Sequence, residues 1–101
     1  MIIRGTTPTL IFNLPFPAST IAVFYINISQ RYENVQIEKA AEDCEVSDSS
    51  ITLVLTQEDT LKLIPDKQAF IQIRARTNDG TALASKVITC SVGDILKEGV
   101  I

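Results

Sequence analysis

The sequence predicts an all-β fold: an immunoglobulin-like antiparallel β-sandwich of six or seven strands with one short helical crossover at about residues 57–63. Apolar and polar residues alternate with a period of two through most of the chain, which is the pattern of half-buried strands. Clusters of Pro, Gly, Asn, Asp and Ser separate these runs and are typical of turns. The 101 residues give room for one domain, residues 1–101. A small, partly open barrel is the alternative topology.

The first predicted strand carries Leu10, Phe12 and Leu14 on one face, between Pro8 and Pro15. Proline lacks the N–H that a central strand donates to its neighbour. We therefore expect this segment to lie at the edge of a sheet.

The longest apolar run, residues 21–30, predicts the second strand. Its inward face holds large apolar side chains: Phe24, Ile26 and Ile28. The other face begins with three more: Ile21, Val23 and Tyr25. A strand that is apolar on both faces needs cover on both, either from the rest of the chain or from another subunit. The second interpretation makes Val23 and Tyr25 a candidate subunit contact.

A shorter strand is predicted at residues 35–39, with Val35 and Ile37 inward. Four acidic residues follow: Glu42, Asp43, Glu45 and Asp48. Their spacing lacks the alternating ligands and central glycine of an EF-hand loop. We expect a solvated loop here rather than a calcium site.

Three more strands are predicted along the rest of the chain. Residues 50–55 place Ile51, Leu53 and Leu55 inward, and residues 69–77 do the same with Ile71, Ile73 and Ala75. After a turn at TNDGT, residues 85–92 return antiparallel with Ile88, Cys90 and Val92 inward. The outward row Gln72, Arg74 and Arg76 fits either solubility and edge protection or recognition of phosphate or an acidic partner. The tail GDILKEGVI could begin another turn of helix.

The stretch LTQEDTLKL predicts the helix. The Thr56 hydroxyl can accept the N–H of residue 58 or 59, and Asp59 can reach back to the Thr56 N–H, as in a capping box. Glu58 and Asp59 place negative charge in the first turn, where the helix dipole favours it. Pro65 disfavours helical geometry at the preceding residue and ends the helix. The Glu58–Asp59 pair is therefore interpreted as a cap, not a catalytic pair.

Composition excludes most catalytic chemistry. The chain has no histidine, which removes Ser-His-Asp and Cys-His nucleophile activation, histidine-bound zinc and the usual near-neutral general base. It also has no glycine-rich phosphate loop. We expect a non-enzymatic protein with no catalytic, cofactor-binding or metal-ligating residues. Cys44 and Cys90 could form one disulfide bridge, but without an export signal we expect two reduced thiols.

The charge and hydropathy patterns also restrict the partners. A net charge of −3 without a long basic run argues against nucleic-acid binding. No stretch approaches the ~20 apolar residues of a membrane span. The opening MIIRGTTPT is too short and polar for a secretory signal. We expect synthesis in the cytoplasm, with neither nucleic acid nor membrane as a partner.

Three stretches carry a family resemblance: MIIRGTTPTLIFNLPF, ITLVLTQEDTLKL and IQIRARTNDGTALASKVITCSVGDIL. With them the chain resembles the small β-sandwich proteins of tail and baseplate gene clusters in prophages of Gram-positive bacteria. It is also similar to the N-terminal domain of phage upper baseplate proteins. Those relatives usually continue into receptor-binding or coiled-coil portions, and residues 1–101 include neither, so we do not expect a direct role in host attachment.

The resemblance implies a non-enzymatic structural or assembly protein of the tail or baseplate, incorporated in the virion or assisting its assembly. Its partners would be other tail or baseplate proteins, or further copies of itself in a homo-oligomer. The alternative is a glycan-binding module. Because Phe12, Phe24 and Phe70 are expected in the core, Tyr25 and Tyr32 are its candidate stacking residues.

The capping interpretation predicts the effect of Thr56→Ala. Loss of the hydroxyl acceptor should cost about 0.5–2 kcal/mol of unfolding free energy. Chemical denaturation measures it, and an unchanged midpoint would contradict the cap.

Overall fold

Inward-facing apolar side chains from two β-sheets form one core in the computed structural model, which describes all residues 1–101. About half of the chain is in strands and one α-helix is present, which confirms the predicted all-β, sandwich-like class. Nine strands form rather than six or seven, because three segments of two or three residues also pair.

The strands, in chain order, are β1 (Ile2–Ile3), β2 (Thr9–Asn13), β3 (Ile21–Gln30), β4 (Val35–Ala40), β5 (Cys44–Val46), β6 (Ser50–Val54), β7 (Gln68–Thr77), β8 (Ala82–Ala84) and β9 (Ile88–Gly93). The helix α1 (Gln57–Leu61) follows β6. Single 3₁₀ turns lie at Ala18–Thr20, Arg31–Glu33 and Ala41–Asp43.

The large sheet has the order β1-β9-β7-β3-β4, and β8 pairs with the C-terminal half of β7. The small sheet has the order β2-β6-β5. All pairs are antiparallel except β1 with β9, so the large sheet is mixed rather than purely antiparallel. β2 lies at an edge, as its flanking prolines predicted.

The core confirms the predicted inward faces of β3, β4, β6 and β7. Its buried members are Ile2, Phe24, Ile26, Ile28, Ile37, Ile51, Leu53, Leu55, Leu63, Ala69, Ile71, Ile73 and Val92. Leu10, Phe12, Val35, Ala75 and Cys90 pack against this set while keeping part of their surface exposed. The small sheet therefore covers the large one incompletely along the β2 side.

A β-bulge near the start of β3 corrects the predicted position of Ile21. The pairing register with β7 shifts between Ile21 and Val23. An extra residue in one strand reverses the side to which the preceding side chains point. Ile21 consequently pairs with Thr77 and packs against the core, whereas Val23 and Tyr25 stay on the opposite face.

The strand predicted at residues 85–92 is present as β9, antiparallel to β7, but it begins at Ile88, because the chain breaks between β8 and β9. At Ser85 the N–H donates to the Ile73 carbonyl at 2.9 Å, but the Ile73 N–H donates to the Ser85 hydroxyl at 3.2 Å instead of to its carbonyl. The Ser85 carbonyl accepts from the Gln72 side chain at 2.9 Å. The side chain thus replaces one bond of the ladder, and the backbone turns away.

Two other segments also differ from expectation. The acidic stretch is only partly a loop, because residues 44–46 pair with β6 as β5. The tail from Asp94 forms no helix. Side-chain hydrogen bonds hold the tail instead: Arg4 with Asp94 at 2.8 Å, and the Gln57 amide with both backbone groups of Ile101.

The capping box predicted for α1 is present. The Thr56 hydroxyl accepts from the Asp59 N–H at 3.1 Å, and Asp59 Oδ2 accepts from the Thr56 N–H at 3.0 Å. The same carboxylate oxygen lies 2.9 Å from Lys39 Nζ. Because Lys39 pairs with Ile26, it points to the inner side of the sheet and joins β4 to the helix.

Two further side chains anchor the segment that follows α1. The fully buried Gln30 amide donates to the Ile64 carbonyl at 2.8 Å and accepts from the Ile64 N–H at 2.7 Å. The Arg4 guanidinium donates to the carbonyls of Leu63 at 2.9 Å and Leu61 at 3.1 Å. These bonds satisfy backbone groups at the helix end that have no partner within so short a helix.

We expect Asp59→Asn to cost about 1.5–3 kcal/mol near neutral pH, the range for a hydrogen bond to a charged group. Burial alone would raise the pKa of the Asp59 carboxyl, but hydrogen bonds from Thr56 and Lys39 outweigh it and hold the pKa below its ordinary value of 3.8. Ionised Asp59 therefore stabilises the fold above that pH, and the contribution disappears as the pH falls through the folded-state pKa. Urea unfolding between pH 2 and 7, in the wild type and the variant, measures the difference.

Asp43→Asn is the matched control. Asp43 also accepts a backbone N–H, that of Ala40 at 3.0 Å, but it is exposed and has no lysine partner. A cost for Asp59→Asn no larger than that for Asp43→Asn, or one independent of pH, would contradict the role of the Lys39 pair.

Candidate interaction surfaces

The two carboxylates in the first turn of α1 differ in their surroundings. Asp59 is buried against Thr56 and Lys39, and Glu58 is exposed beside it. No three Cys, Asp or Glu side chains lie close enough together to hold a metal ion. None of the helices is long and apolar enough to cross a membrane.

The two cysteines are unpaired and half-buried, Cys44 in the small sheet and Cys90 in the large one. Burial is the main cause that raises the pKa of the Cys44 thiol, and the nearby Asp43 carboxylate adds to it. A raised pKa reduces the thiolate fraction and with it the reactivity of the sulfur.

The outer face of the large sheet brings together two sets of residues that the sequence presented separately. Tyr25 on β3 pairs with Arg74 on β7, and Val23 pairs with Arg76. Paired residues project to the same side of a sheet. Tyr25 is 45% exposed and both arginines are exposed. These four residues, with Asn27 and Glu38, line a shallow depression of about 340 Å³.

The position of Phe70 corrects a prediction. Phe70 pairs with Ser29 on the outer face, outside the core, and the Arg31 guanidinium lies 4.5 Å from its ring centre. Tyr25 and Tyr32 are both exposed, as expected, Tyr32 to 88%. Tyr25 lies mid-strand, whereas Tyr32 lies in the turn beyond the end of β3, roughly 17 Å or more along the chain. The two rings therefore do not form one stacking platform.

A second surface is a groove between the two sheets, which we call the edge groove. It has a volume of about 460 Å³, and ten of its thirteen lining residues are hydrophobic. One wall is the continuous segment 11–16, which includes the end of β2. The other wall comes from β8 and the start of β9, and the floor from Ile21, Ile73 and Ala75. Ile88 faces this groove, which explains why a side chain predicted to point inward is 51% exposed.

Both walls of the edge groove are unpaired strand edges. Leu14 donates to Ser49 and Leu55 donates to Pro8, so the even-numbered residues of β2 bond to β6. Since bonding alternates along an antiparallel pair, the N–H and C=O of Thr9, Ile11 and Asn13 point away from β6. At the two ends of β8, the Thr77 N–H donates to the Thr81 carbonyl and the Ser85 N–H donates to the Ile73 carbonyl. By the same alternation, the backbone groups of Ala82 and Ala84 point outward.

The edge groove was not predicted from the sequence, although a signal for one wall was present. Pro8 and Pro15 indicated that β2 is an edge strand. The other wall depends on the break at Ser85, which only the contacts with Gln72 and Ile73 reveal.

Comparisons with protein families, with curated proteins and with solved structures found no match to this chain.

The apolar lining of the edge groove predicts that an environment-sensitive apolar dye such as anilinonaphthalene sulfonate binds there and fluoresces. Ile88→Glu should lower the fluorescence, because it places in the groove wall a negative charge that repels the sulfonate of the dye. Val54→Glu is the matched control: Val54 is 53% exposed, close to the value for Ile88, but does not line the groove. Equal fluorescence from the two variants would contradict groove binding.

Proposed function

We propose that this chain is a non-enzymatic structural or assembly protein of a phage tail or baseplate, and that it binds an extended segment of another tail protein in the edge groove. The phage setting rests on the resemblance of residues 1–16, 51–63 and 71–96. The binding mode rests on one observation, the pair of unpaired strand edges that flank an apolar groove.

Unpaired strand edges are sites where another chain can add a strand. Each exposed N–H and C=O of an edge is a strong hydrogen-bonding group, and an added strand satisfies them in series. In such complexes the main-chain bonds supply affinity and pockets for alternate side chains supply specificity. The edge groove offers both features, with Thr9, Ile11 and Asn13 on one side and Ala82 and Ala84 on the other.

The lining of the groove indicates the chemistry of the segment. Its floor is apolar, and a volume of about 460 Å³ accommodates a few side chains. The polar side chains among the lining residues are those of Asn13 and Ser85. A segment with apolar residues at alternate positions therefore fits, since these would face the floor while the intervening residues face solvent.

Proline substitution at an outward-pointing position tests the binding mode. Ile11→Pro and Ala84→Pro each remove an N–H that points into the groove and leave the bonds to β6 and β7 intact. A backbone hydrogen bond contributes about 0.5–1.5 kcal/mol, so each change should weaken binding by about two- to tenfold. Binding is measured by calorimetry against each tail and baseplate protein encoded beside the gene.

Ile11→Ala and Ala84→Ser are the matched controls, because they change the same side chains and keep the N–H. Thermal melting of all four variants checks that the sandwich is intact. Failure of every neighbouring tail protein to bind would overturn the proposed function. Equal weakening by the proline variants and their controls would overturn the strand-addition mode.

A further inference from the structure

The outer face of the large sheet carries opposite charges on its two sides. β3 runs through the middle, with Tyr25 exposed and Val23 and Asn27 half-buried on that face. Arg74 and Arg76 lie on β7 to one side. Glu38 lies on β4 to the other side, and Glu42 lies in the turn that continues from β4.

These charges have no ion-pair partner within the chain. The salt bridges of the molecule join Arg4 to Asp94 and Glu98, Lys39 to Asp59, and Lys67 to Glu33. Because β3 separates β4 from β7, the two sides are about 9.6 Å apart at the backbone. Glu38 instead accepts a hydrogen bond from Asn27 at 3.3 Å.

We propose that the outer face binds a second copy of this chain, related by a two-fold axis that runs along β3. Such an axis places β4 of each copy over β7 of the other. The acidic side of one copy then faces the arginines of its partner, and the same contact occurs twice, as in any isologous interface.

The registers of the strands place the charges at matching levels. Tyr25 pairs with Ala40 on one side and Arg74 on the other. Glu38 is two residues before Ala40, about 7 Å along β4, and Glu42 lies in the 3₁₀ turn Ala41–Asp43 that follows the strand. A long arginine side chain spans that distance, so Arg74 of one copy can reach Glu38 of the other, and Glu42 adds negative charge at the end of β4.

Val23 and Tyr25 supply the centre of the contact. Interface centres are enriched in aromatic residues and arginine, and their energy comes largely from a few such side chains. On the margin of the face β8 presents only the small side chains of Ala82 and Ala84, which do not hinder close approach. Exposed ion pairs contribute little affinity, so the charges mainly select the partner and its orientation.

Charge exchange between two variants tests this arrangement. Light scattering on a sizing column, over a range of concentrations, should give a dimer for the wild type. Arg74→Glu with Arg76→Glu makes both sides of the face acidic, and Glu38→Lys with Glu42→Lys makes both basic. Each double variant alone should be monomeric. A one-to-one mixture should form the heterodimer, because both reciprocal contacts then pair opposite charges.

Lys62→Glu with Lys97→Glu is the matched control. It changes the net charge as much as the arginine variant does, at exposed positions off this face, and should remain dimeric. A wild type that is monomeric at every concentration would overturn the proposal. A mixture that stays monomeric while both variants melt like the wild type would overturn it equally. Ile11→Pro leaves this face unchanged and should still dimerise, which separates this inference from the function proposed for the edge groove.

Discussion

Two ten-residue strands, β3 and β7, pair antiparallel along most of their length, and the other elements take their positions from this pair. Their inner faces supply Phe24, Ile26, Ile28 and the isoleucines of β7, on which the small sheet packs. Their outer faces bring tyrosine and arginine side by side. Because side chains alternate strictly along a strand, one register decides both the core and the exposed surface. The bulge at the start of β3 is the exception, and it moves Ile21 into the floor of the edge groove.

The polar contacts around α1 illustrate how a very short helix persists. Five residues form too few internal bonds to overcome the cost of nucleation. The helix depends instead on groups far along the chain: Lys39 at its first turn, the Thr6 carbonyl that accepts from Thr60, and Arg4 at its last carbonyls. These contacts join the crossover to β4 and to the loop between β1 and β2. The crossover is thus held in place by the sheets that it connects.

Local signals explain what could be predicted from the sequence. Alternation identified the strands and their inward faces, and the Thr56–Asp59 spacing identified the cap, because these features depend on neighbouring residues. The break at Ser85 and the pairing of Lys39 with Asp59 depend on residues distant in sequence, so no local pattern reveals them. The outer face of the large sheet could be predicted only in part. Both of its rows, Val23 with Tyr25 and Arg74 with Arg76, were visible, but only the strand order shows that they are neighbours. The core position predicted for Phe70 is wrong because it followed the aromatic character of the side chain, whereas alternation with Ile71 and Ile73 already places Phe70 on the outer face beside Gln72.

The pairing of β1 with β9 has a consequence for how the protein is made. Ile2 and Ile3 leave the ribosome about ninety residues before their partners, Val92 and Gly93. The ion pairs of Arg4 with Asp94 and Glu98 likewise form only after those two residues have been translated. During synthesis the rest of the sandwich can assemble while the opening residues remain unpaired, and contacts so distant in sequence form slowly. The emergence of β9 therefore completes the large sheet, because β9 pairs with β1, and until then the apolar β1 segment has no strand partner.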